Sequence, residues 1–280
     1  MTDSIASPLV IEPGEAKIGG SVILEASPSG VAVVLINRAH RKNAFDAETI
    51  AELTEAFEAL HGADHIRVVF LRGAGGTFSA GADLEWMASA VDWSEDDNRA
   101  DALGLARMLK ALHDVPALTV ALVEGSAFGG GAGLVAACDT AVATQEARFS
   151  FSEVKLGLTP ATISPYVIAA IGPRASVRLF ATGRVFGADE AKRLGLVEAV
   201  VADTAGLAEA QEAFANEMMA TAPGAVADAK RLVWDVVGKT IDHALMDETA
   251  RRIARRRVSP EGQEGVRAFL ARRKPSWAAD

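Results

Sequence analysis

The chain has 280 residues, half of them hydrophobic, and a net charge of −9 at neutral pH. This length allows one large domain, or one domain with a helical appendage, and the acidic balance argues against non-specific nucleic-acid binding, which needs Lys and Arg to neutralise phosphates. The single cysteine, Cys138, excludes a disulfide framework within the chain and a cysteine-based structural zinc site, and its apolar sequence neighbours predict a small buried residue.

The N-terminal segment, residues 1–20, contains several Pro and Gly residues and is predicted to form a flexible arm. It has no basic stretch followed by an apolar stretch, so we predict no secretory signal. No apolar run in the chain reaches the ~18 residues that a membrane span needs. We therefore expect a soluble, cytoplasmic protein with no membrane and no nucleic-acid partner.

The segments after the arm alternate between predicted strands and helices. Residues 31–36 form a continuous β-branched run, which is typical of a strand buried on both faces. Residues 47–60 carry apolar side chains at helical spacing, and Asp46 precedes them as an N-cap. Residues 66–71 predict a second buried strand, and a glycine-rich loop follows over residues 73–81.

The same succession of strand, glycine loop and helix recurs further along the chain. A short helix is predicted through residues 84–88 and a longer one over residues 99–112. Residues 118–123 predict a third buried strand, and a glycine-rich turn over residues 125–131 leads into another apolar helix. Strands that alternate with helices indicate an α/β fold with a mainly parallel sheet.

The pattern changes after about residue 202, where the chain becomes almost entirely helical and richer in Arg. We predict a core domain over residues 21–202 and a C-terminal helical region over residues 203–280. The basic run at residues 251–257 follows acidic residues at helical spacing, which predicts ion pairs. Because appended helices often pack on a neighbouring subunit, we expect an oligomer.

Two glycine-rich loops, residues 78–84 and 127–134, each follow a strand and open a helix. Small residues let another group approach the backbone, and the free N–H groups of a helix N-terminus favour negative charge. Two such turns side by side would offer two amides to one oxygen, as an oxyanion hole requires. The alternative interpretation of each loop alone is tight strand–helix packing.

Other loop functions fit less well. In the second loop Gly129 and Gly131 match the first two glycines of a dinucleotide-binding motif, but Leu134 stands where the third belongs. Neither loop contains Gly-Lys-Ser/Thr, so a P-loop is excluded. His61 and His65 have a spacing that could ligate a metal, but Gly62 lies between them at a helix end, and we predict no metal site.

One carboxylate, Glu153, follows two aromatic residues. If residues 149–153 form a strand, Phe149, Phe151 and Glu153 share one face. A carboxylate on an aromatic face would be partly desolvated, which raises its pKa towards the range useful for proton transfer near neutral pH. The alternative interpretation is that Glu153 ends the strand and faces water.

Together these segments resemble the crotonase (enoyl-CoA hydratase/isomerase) superfamily, from about residue 20 to the C-terminus. Each match is weak alone and the set is specific: Asn37-Arg38, Asn43-Ala44-Phe45, residues 78–84, residues 129–131, Cys138-Asp139, residues 149–157, Gly172, and the stretch from residues 182–184 to residues 195–197. The resemblance implies a crotonase (ClpP/crotonase-type) spiral of ββα units with a C-terminal helical region. It also implies a homotrimer or homohexamer.

The resemblance also implies site residues. Ala82 and Gly130 would supply the two oxyanion-hole N–H groups to the thioester oxygen of an acyl-CoA, and Glu153 would move the proton. Coenzyme A enters only as part of the substrate, with no separate cofactor. It would contact a set of residues in the first loop, before it and near the C-terminus: His40, Arg41, Lys42, Ala80, Asp83, Leu84 and Arg272. The acyl group would lie in a pocket lined by Trp86, Met87, Leu105, Leu109, Phe128, Gly133, Ala161 and Ile163.

The sequence departs from the family at one catalytic position. Hydratases of the family carry two glutamates, and the first of these positions is Gly133 here. Family isomerases often keep only the second glutamate, so transfer of a proton between the α and γ carbons of an enoyl-CoA is an alternative to hydration. A protein that binds acyl-CoA with weakened catalysis is a third possibility.

A closer likeness favours hydration. Trp86-Met87, residues 152–158, Ile163-Ser164-Pro165 and residues 262–265 are similar to bacterial hydratases of 3-methylglutaconyl-CoA or carboxygeranoyl-CoA. This similarity implies a branched, glutaconyl-type substrate and a role in leucine or acyclic terpenoid breakdown, within fatty-acid-type metabolism. One hypothesis for the missing glutamate is that the substrate's distal carboxylate, or a water held by Glu153, takes over its role.

Overall fold

The computed structural model describes residues 16–18 and 20–278. Most of the expected N-terminal arm, residues 1–15 and 19, lies outside the described residues. Inside it, Ala16–Ile18 form a strand, because their backbone groups pair antiparallel with residues 23–25.

Ten strands form two sheets in the described part of the chain. The strands are β1 (Ala16–Ile18), β2 (Val22–Ala26), β3 (Val31–Ile36), β4 (Val68–Gly73), β5 (Leu118–Val123), β6 (Ser126–Phe128), β7 (Thr140–Thr144), β8 (Arg148–Ser150), β9 (Phe186–Gly187) and β10 (Ala199–Val201). The larger sheet has the order β1-β2-β3-β4-β5-β7-β10, and β6, β8 and β9 form the smaller one. Pairing is parallel from β3 through to β10, which confirms the predicted mainly parallel α/β fold.

Within residues 20–278, ten α-helices connect and cover these strands. They are α1 (Ala47–His61), α2 (Leu84–Ser89), α3 (Glu95–His113), α4 (Gly130–Ala137), α5 (Ser164–Thr182), α6 (Ala188–Leu194), α7 (Thr204–Met219), α8 (Pro223–Val236), α9 (His243–Val258) and α10 (Pro260–Leu270). Asp46 caps α1 as predicted, since its carboxylate accepts the N–H of Thr49 at 2.8 Å.

The larger sheet separates two groups of buried apolar side chains. The main core lies between the sheet and α1, α3 and α4, and includes Ala32, Val34 and Ile36 of β3. Val31 and Val33 of the same strand are only half-buried and pack in a smaller cluster with Leu207 and Met218. The prediction that β3 is fully buried on both faces is therefore half right.

The last strand ends at Val201, and the described residues beyond residue 203 are helices and turns. Two cations tie them to the sheet. The Arg67 guanidinium donates to the carbonyls of Thr221 and Trp277, at 3.0 and 3.1 Å. The Lys230 ammonium lies 2.5 Å from the Asp139 carboxylate. No helix in the described range is long and apolar enough to cross a membrane.

Candidate active site

The two glycine-rich loops lie against each other. Ser79 forms a parallel bridge with Ala127, in which its N–H donates to Ser126 at 2.9 Å and its carbonyl accepts from Phe128 at 3.0 Å. Gly81 has φ of +92°, and a Cβ atom there would lie only 2.8 Å from the Phe128 carbonyl oxygen. The close approach therefore requires glycine at residue 81.

The N–H groups of Ala82 and Gly130 are free of intramolecular partners among the described residues. Their neighbours are bonded: the Gly81 carbonyl accepts from Phe45 at 2.7 Å, and the Gly129 N–H donates to Ser150 at 2.9 Å. Gly130 is the first residue of α4, where helix N–H groups have no intrahelical acceptor. Two adjacent loops thus each present one unused amide, an arrangement that can bind a carbonyl oxygen or an oxyanion.

Glu153 lies close to the second glycine-rich loop, at the start of α4, although not on a strand. Strand β8 ends at Ser150, and Glu153 begins a 3-10 helix over Glu153–Leu156, so the condition that residues 149–153 form a single strand is not met. The chain leaves the sheet here because β8 loses its partner after Phe128, the last residue of β6. Phe149 and Phe151 are both fully buried.

The Glu153 carboxylate is half-buried, and burial raises its pKa above the ordinary range of a glutamate. A Cβ atom on Gly129 would be 3.5 Å from its Oε1 atom, which places the carboxylate at the start of α4. Its buried Oε2 atom has no hydrogen-bond partner within the described residues. One carboxylate oxygen is thus available to a bound water or substrate.

Gly133 lies one turn further along α4, and its N–H donates to the Gly129 carbonyl at 3.0 Å. It is not a vacancy. A Cβ atom at residue 133 would stand 2.3 Å from Cγ2 and 2.9 Å from Cβ of Ile163. The Ile163 side chain therefore fills the space that a side chain at residue 133 would need.

The predicted acyl-pocket residues differ in exposure. Trp86 and Met87 of α2 are half-buried, as are Leu105 and Phe128, whereas Leu109 is fully buried and Ala161 is exposed. Trp86 packs against the main core, and its indole N–H is buried without a partner among the described residues. Trp86 and Leu105 therefore contact the core and still retain exposed surface.

The predicted coenzyme A residues fall into two groups. His40, Arg41 and Lys42 are exposed in a 3-10 turn, and the Lys42 carbonyl accepts from Ala80 at 3.0 Å, which joins this turn to the first glycine loop. Leu84 is 80% exposed beside them. Arg272 lies just beyond α10, and none of the hydrogen bonds and ion pairs found among residues 20–278 joins it to these loops.

Two side chains of the coenzyme A prediction are engaged within the protein. The Arg41 guanidinium pairs with Glu85 at 2.8 Å. Asp83 is buried, caps α2 by accepting the Glu85 N–H at 2.9 Å, and lies 3.4 Å from Arg38. The Asp83 carboxylate therefore holds the loop in place and does not face solvent.

Sequence reasoning missed the residue that holds the first glycine loop. Asn43 is fully buried, and its amide donates to the carbonyls of Ala74 and Thr77 at 2.8 and 2.5 Å. Its Oδ1 atom accepts the Arg38 N–H at 2.9 Å. The available signal was a short polar side chain in Asn43-Ala44-Phe45, directly before a helix cap.

Two sequence features take no part in this site. The His61 ring bonds to the Ala111 carbonyl at 2.8 Å, and the described residues contain no cluster of ligands able to hold a metal. Cys138 is half-buried, less than its sequence neighbours predict, and burial raises the pKa of its thiol above the ordinary value, which favours the protonated form.

Comparisons with known proteins identify the family of this chain. The chain is 35% identical over 255 residues to a provisionally assigned enoyl-CoA hydratase of Thermus thermophilus, covering 91% of this chain and all of that protein. It is 30% identical to a crotonyl-CoA hydratase of Syntrophomonas wolfei, covering 92% and 97%. A crystal structure from Legionella pneumophila, provisionally assigned as an enoyl-CoA hydratase/isomerase (crotonase), superposes with a TM-score of 0.86 at 44% identity, covering 92% of this chain and 98% of that one. The model of the enoyl-CoA hydratase/isomerase family matches residues 26–280, and the chain belongs to this family, with the crotonase fold.

Proposed function

We propose that this protein adds water to the double bond of an α,β-unsaturated acyl-CoA. The observation that carries the proposal is the pair of unused amides, on Ala82 and Gly130, next to the partly buried carboxylate of Glu153. The proposal is also supported by the Syntrophomonas relative, whose name, crotonyl-CoA hydratase, describes this reaction on one such substrate.

The Ala82 and Gly130 N–H groups would donate to the thioester oxygen. They stabilise the negative charge that develops there when water attacks the β-carbon, and each such donor contributes ~10²–10³ in rate. Because they belong to the backbone of two packed loops, they need no reorganisation during the reaction.

The Glu153 carboxylate would move the proton. It accepts a proton from the water whose oxygen bonds to the β-carbon, and the resulting carboxylic acid returns that proton to the α-carbon of the enolate. The product therefore gains one H and one OH, and Glu153 ends ionised. General acid–base help of this kind contributes ~10²–10⁴ in rate.

A panel of enoyl-CoA esters, followed by loss of the absorbance of the conjugated thioester, tests the proposal. Glu153→Gln should lower kcat by about 10²–10⁴ with little change in ester affinity. The matched control is Glu146→Gln, because the Glu146 side chain is 86% exposed, and its activity should equal that of the parent.

Two outcomes would replace the proposal. Exchange of a γ-carbon proton without addition of water would identify an isomerase. Binding of the esters with no turnover by the parent protein would identify an acyl-CoA-binding protein.

For the acyl group, we propose a branched, glutaconyl-type ester. The likeness of segments such as Trp86-Met87 to glutaconyl-CoA hydratases supports this, and so does the buried Trp86 indole N–H, which lacks a partner in the described part of the chain. It would donate to a polar group of the substrate. Trp86→Phe should then lower kcat/KM for a methylglutaconyl ester and leave crotonyl-CoA hydration nearly unchanged; equal losses would contradict a polar role.

For coenzyme A, we propose that the turn with His40 and Lys42 binds phosphate and that Ala80 and Leu84 flank the adenine. The turn is exposed and joined to the first glycine loop. Lys42→Gln should raise KM about equally for all esters, because the nucleotide is common to them.

We also propose a homotrimer or homohexamer. Several large apolar side chains of the C-terminal region, in the helices and in the α8–α9 connection, are more than 60% exposed: Val237, Ile241, Val258, Phe269 and Leu270. Burying them against a second copy would remove this surface from water. Phe269→Asp should lower the mass measured by light scattering. Ala271→Asp, next to the end of α10, is the control and should keep the parent's mass. A parent protein with the mass of a monomer would contradict the proposal.

A further inference from the structure

Gly133 and Ile163 pack so closely that residue 133 has no space for a side chain. A Cβ atom on residue 133 would lie 2.3 Å from Ile163 Cγ2, well inside van der Waals contact. Ile163 is 1% exposed and packs in the main core, so it has no open space to move into. Its position, directly before α5, fixes its backbone as well.

The same contact lies next to the candidate carboxylate. Gly133 bonds to Gly129 across one helical turn, so the two residues share a face of α4. Gly129 is the residue that the Glu153 carboxylate approaches. A side chain on residue 133 would therefore point towards the region that Glu153 serves.

We propose that Ile163 limits this site to a single catalytic carboxylate. It fills the volume that an acidic side chain at residue 133, and any water bound to it, would occupy. This inference rests on the proposed function and deepens it: both proton transfers of the hydration must pass through Glu153, because Ile163 closes the α4 side.

A set of melting experiments tests the packing without reference to activity. Gly133→Ala adds only the Cβ atom and should lower Tm in the parent. In an Ile163→Ala protein, which lacks Cγ2 but keeps Cβ at 2.9 Å, the same Gly133→Ala change should lower Tm by less than it does in the parent, because the closest contact is gone and alanine favours a helix over glycine. Ile163→Val is the matched control: it removes Cδ1, 3.8 Å from the added atom, and keeps Cγ2, so it should restore nothing. Equal effects of Gly133→Ala in all three backgrounds would overturn the proposal.

The functional consequence has its own test. In Gly133→Glu/Ile163→Ala protein, the closest obstacle to a second carboxylate, the Ile163 Cγ2 atom, is removed, and Glu153→Gln should cost at least about tenfold less in crotonyl-CoA hydration than it costs in the parent. An equal cost in both proteins would show that Ile163 does not decide how many carboxylates act. The melting experiments use smaller side chains, so they decide the steric claim even if the glutamate variant does not fold. A parent protein that hydrates no ester would refute the proposed function and leave the melting result intact.

Discussion

Helix α1 in the core and helix α9 in the C-terminal region have nearly the same length, 15 and 16 residues, but different interactions hold them in place. Helix α1 buries seven residues, among them Leu53 and Phe57, whereas α9 buries none. Instead, α9 carries arginines that pair with nearby acids, as Arg252 does with Asp235 and Glu248. Apolar burial within the chain stabilises the first helix, whereas ion pairs at the surface stabilise the second.

This contrast predicts that one small substitution in the core changes activity far more than a larger one in the C-terminal helices. Gly81→Ala should lower kcat/KM by about 10²–10³, because its Cβ would press on the Phe128 carbonyl and separate the two amides of the proposed oxyanion hole. Gly76→Ala is the control: it has a similar φ of +77°, and its nearest contact is 4.0 Å away. Similar activity losses in both variants would mean that backbone strain, and not loop separation, is responsible.

Lys230 is an exception to the contrast between the core and the C-terminal helices, because it lies on a C-terminal helix and bonds to residues of the core. Its ammonium donates to the carbonyls of Val115 and Ala117, at 2.7 and 2.6 Å, and pairs with Asp139. Lys230→Met should lower the free energy of unfolding by about 1.5–3 kcal/mol in urea denaturation, since hydrogen bonds to a charged group are lost. Lys239→Met, at an exposed turn, should change little; equal stability of the two variants would mean that the link to the sheet is unimportant.

The Glu153 carboxyl should make both activity and stability depend on pH. Burial raises its pKa in the folded protein, and the ionised form is the base, so kcat/KM should rise with pH through that raised pKa. Stability has the opposite sign: the folded state holds this proton more tightly, so the contribution to stability is full below the unfolded pKa and is lost as pH rises through the folded pKa.

Glu153→Gln should remove this loss, and its Tm near neutral pH should equal or exceed that of the parent. Thermal melts of both proteins across the acidic range provide the measurement. A Glu153→Gln protein that is less stable than the parent at every pH would contradict the burial penalty.

The smallest effect is expected on α9. The Arg251 side chain is more than half exposed and pairs with Asp247 at 3.0 Å. Exposed pairs contribute little, so Arg251→Ala should shift Tm by no more than about 2 °C. A larger shift that grows with protein concentration would instead place Arg251 at an interface between copies.

Secondary structure is predicted best from the sequence where the residues that determine it lie within one segment of the chain. Strands β3 and β5 have the bounds that their β-branched runs predict, and Asp46 caps α1 as its position before an apolar helix indicates. These features depend on residues that are close in the chain.

The errors concern features that depend on distant residues. The end of β8, and therefore the 3-10 start at Glu153, is set by where β6 stops pairing. The sequence also did not predict that the buried Asp83 carboxylate caps α2 beside Arg38. Likewise, Gly133 reads as a missing side chain until Ile163, from another part of the chain, is found in its place.

The free amides of Ala82 and Gly130 belong to the main chain, and this has an evolutionary consequence. A mutation exchanges side chains and leaves the peptide N–H in position wherever the turn itself is kept. The electrophilic half of the proposed site is therefore kept with the fold, while the proton-transferring half consists of side chains that a single substitution can change. New reactions on the same thioester can arise by moving or deleting a single acid, without rebuilding the part that recognises the carbonyl.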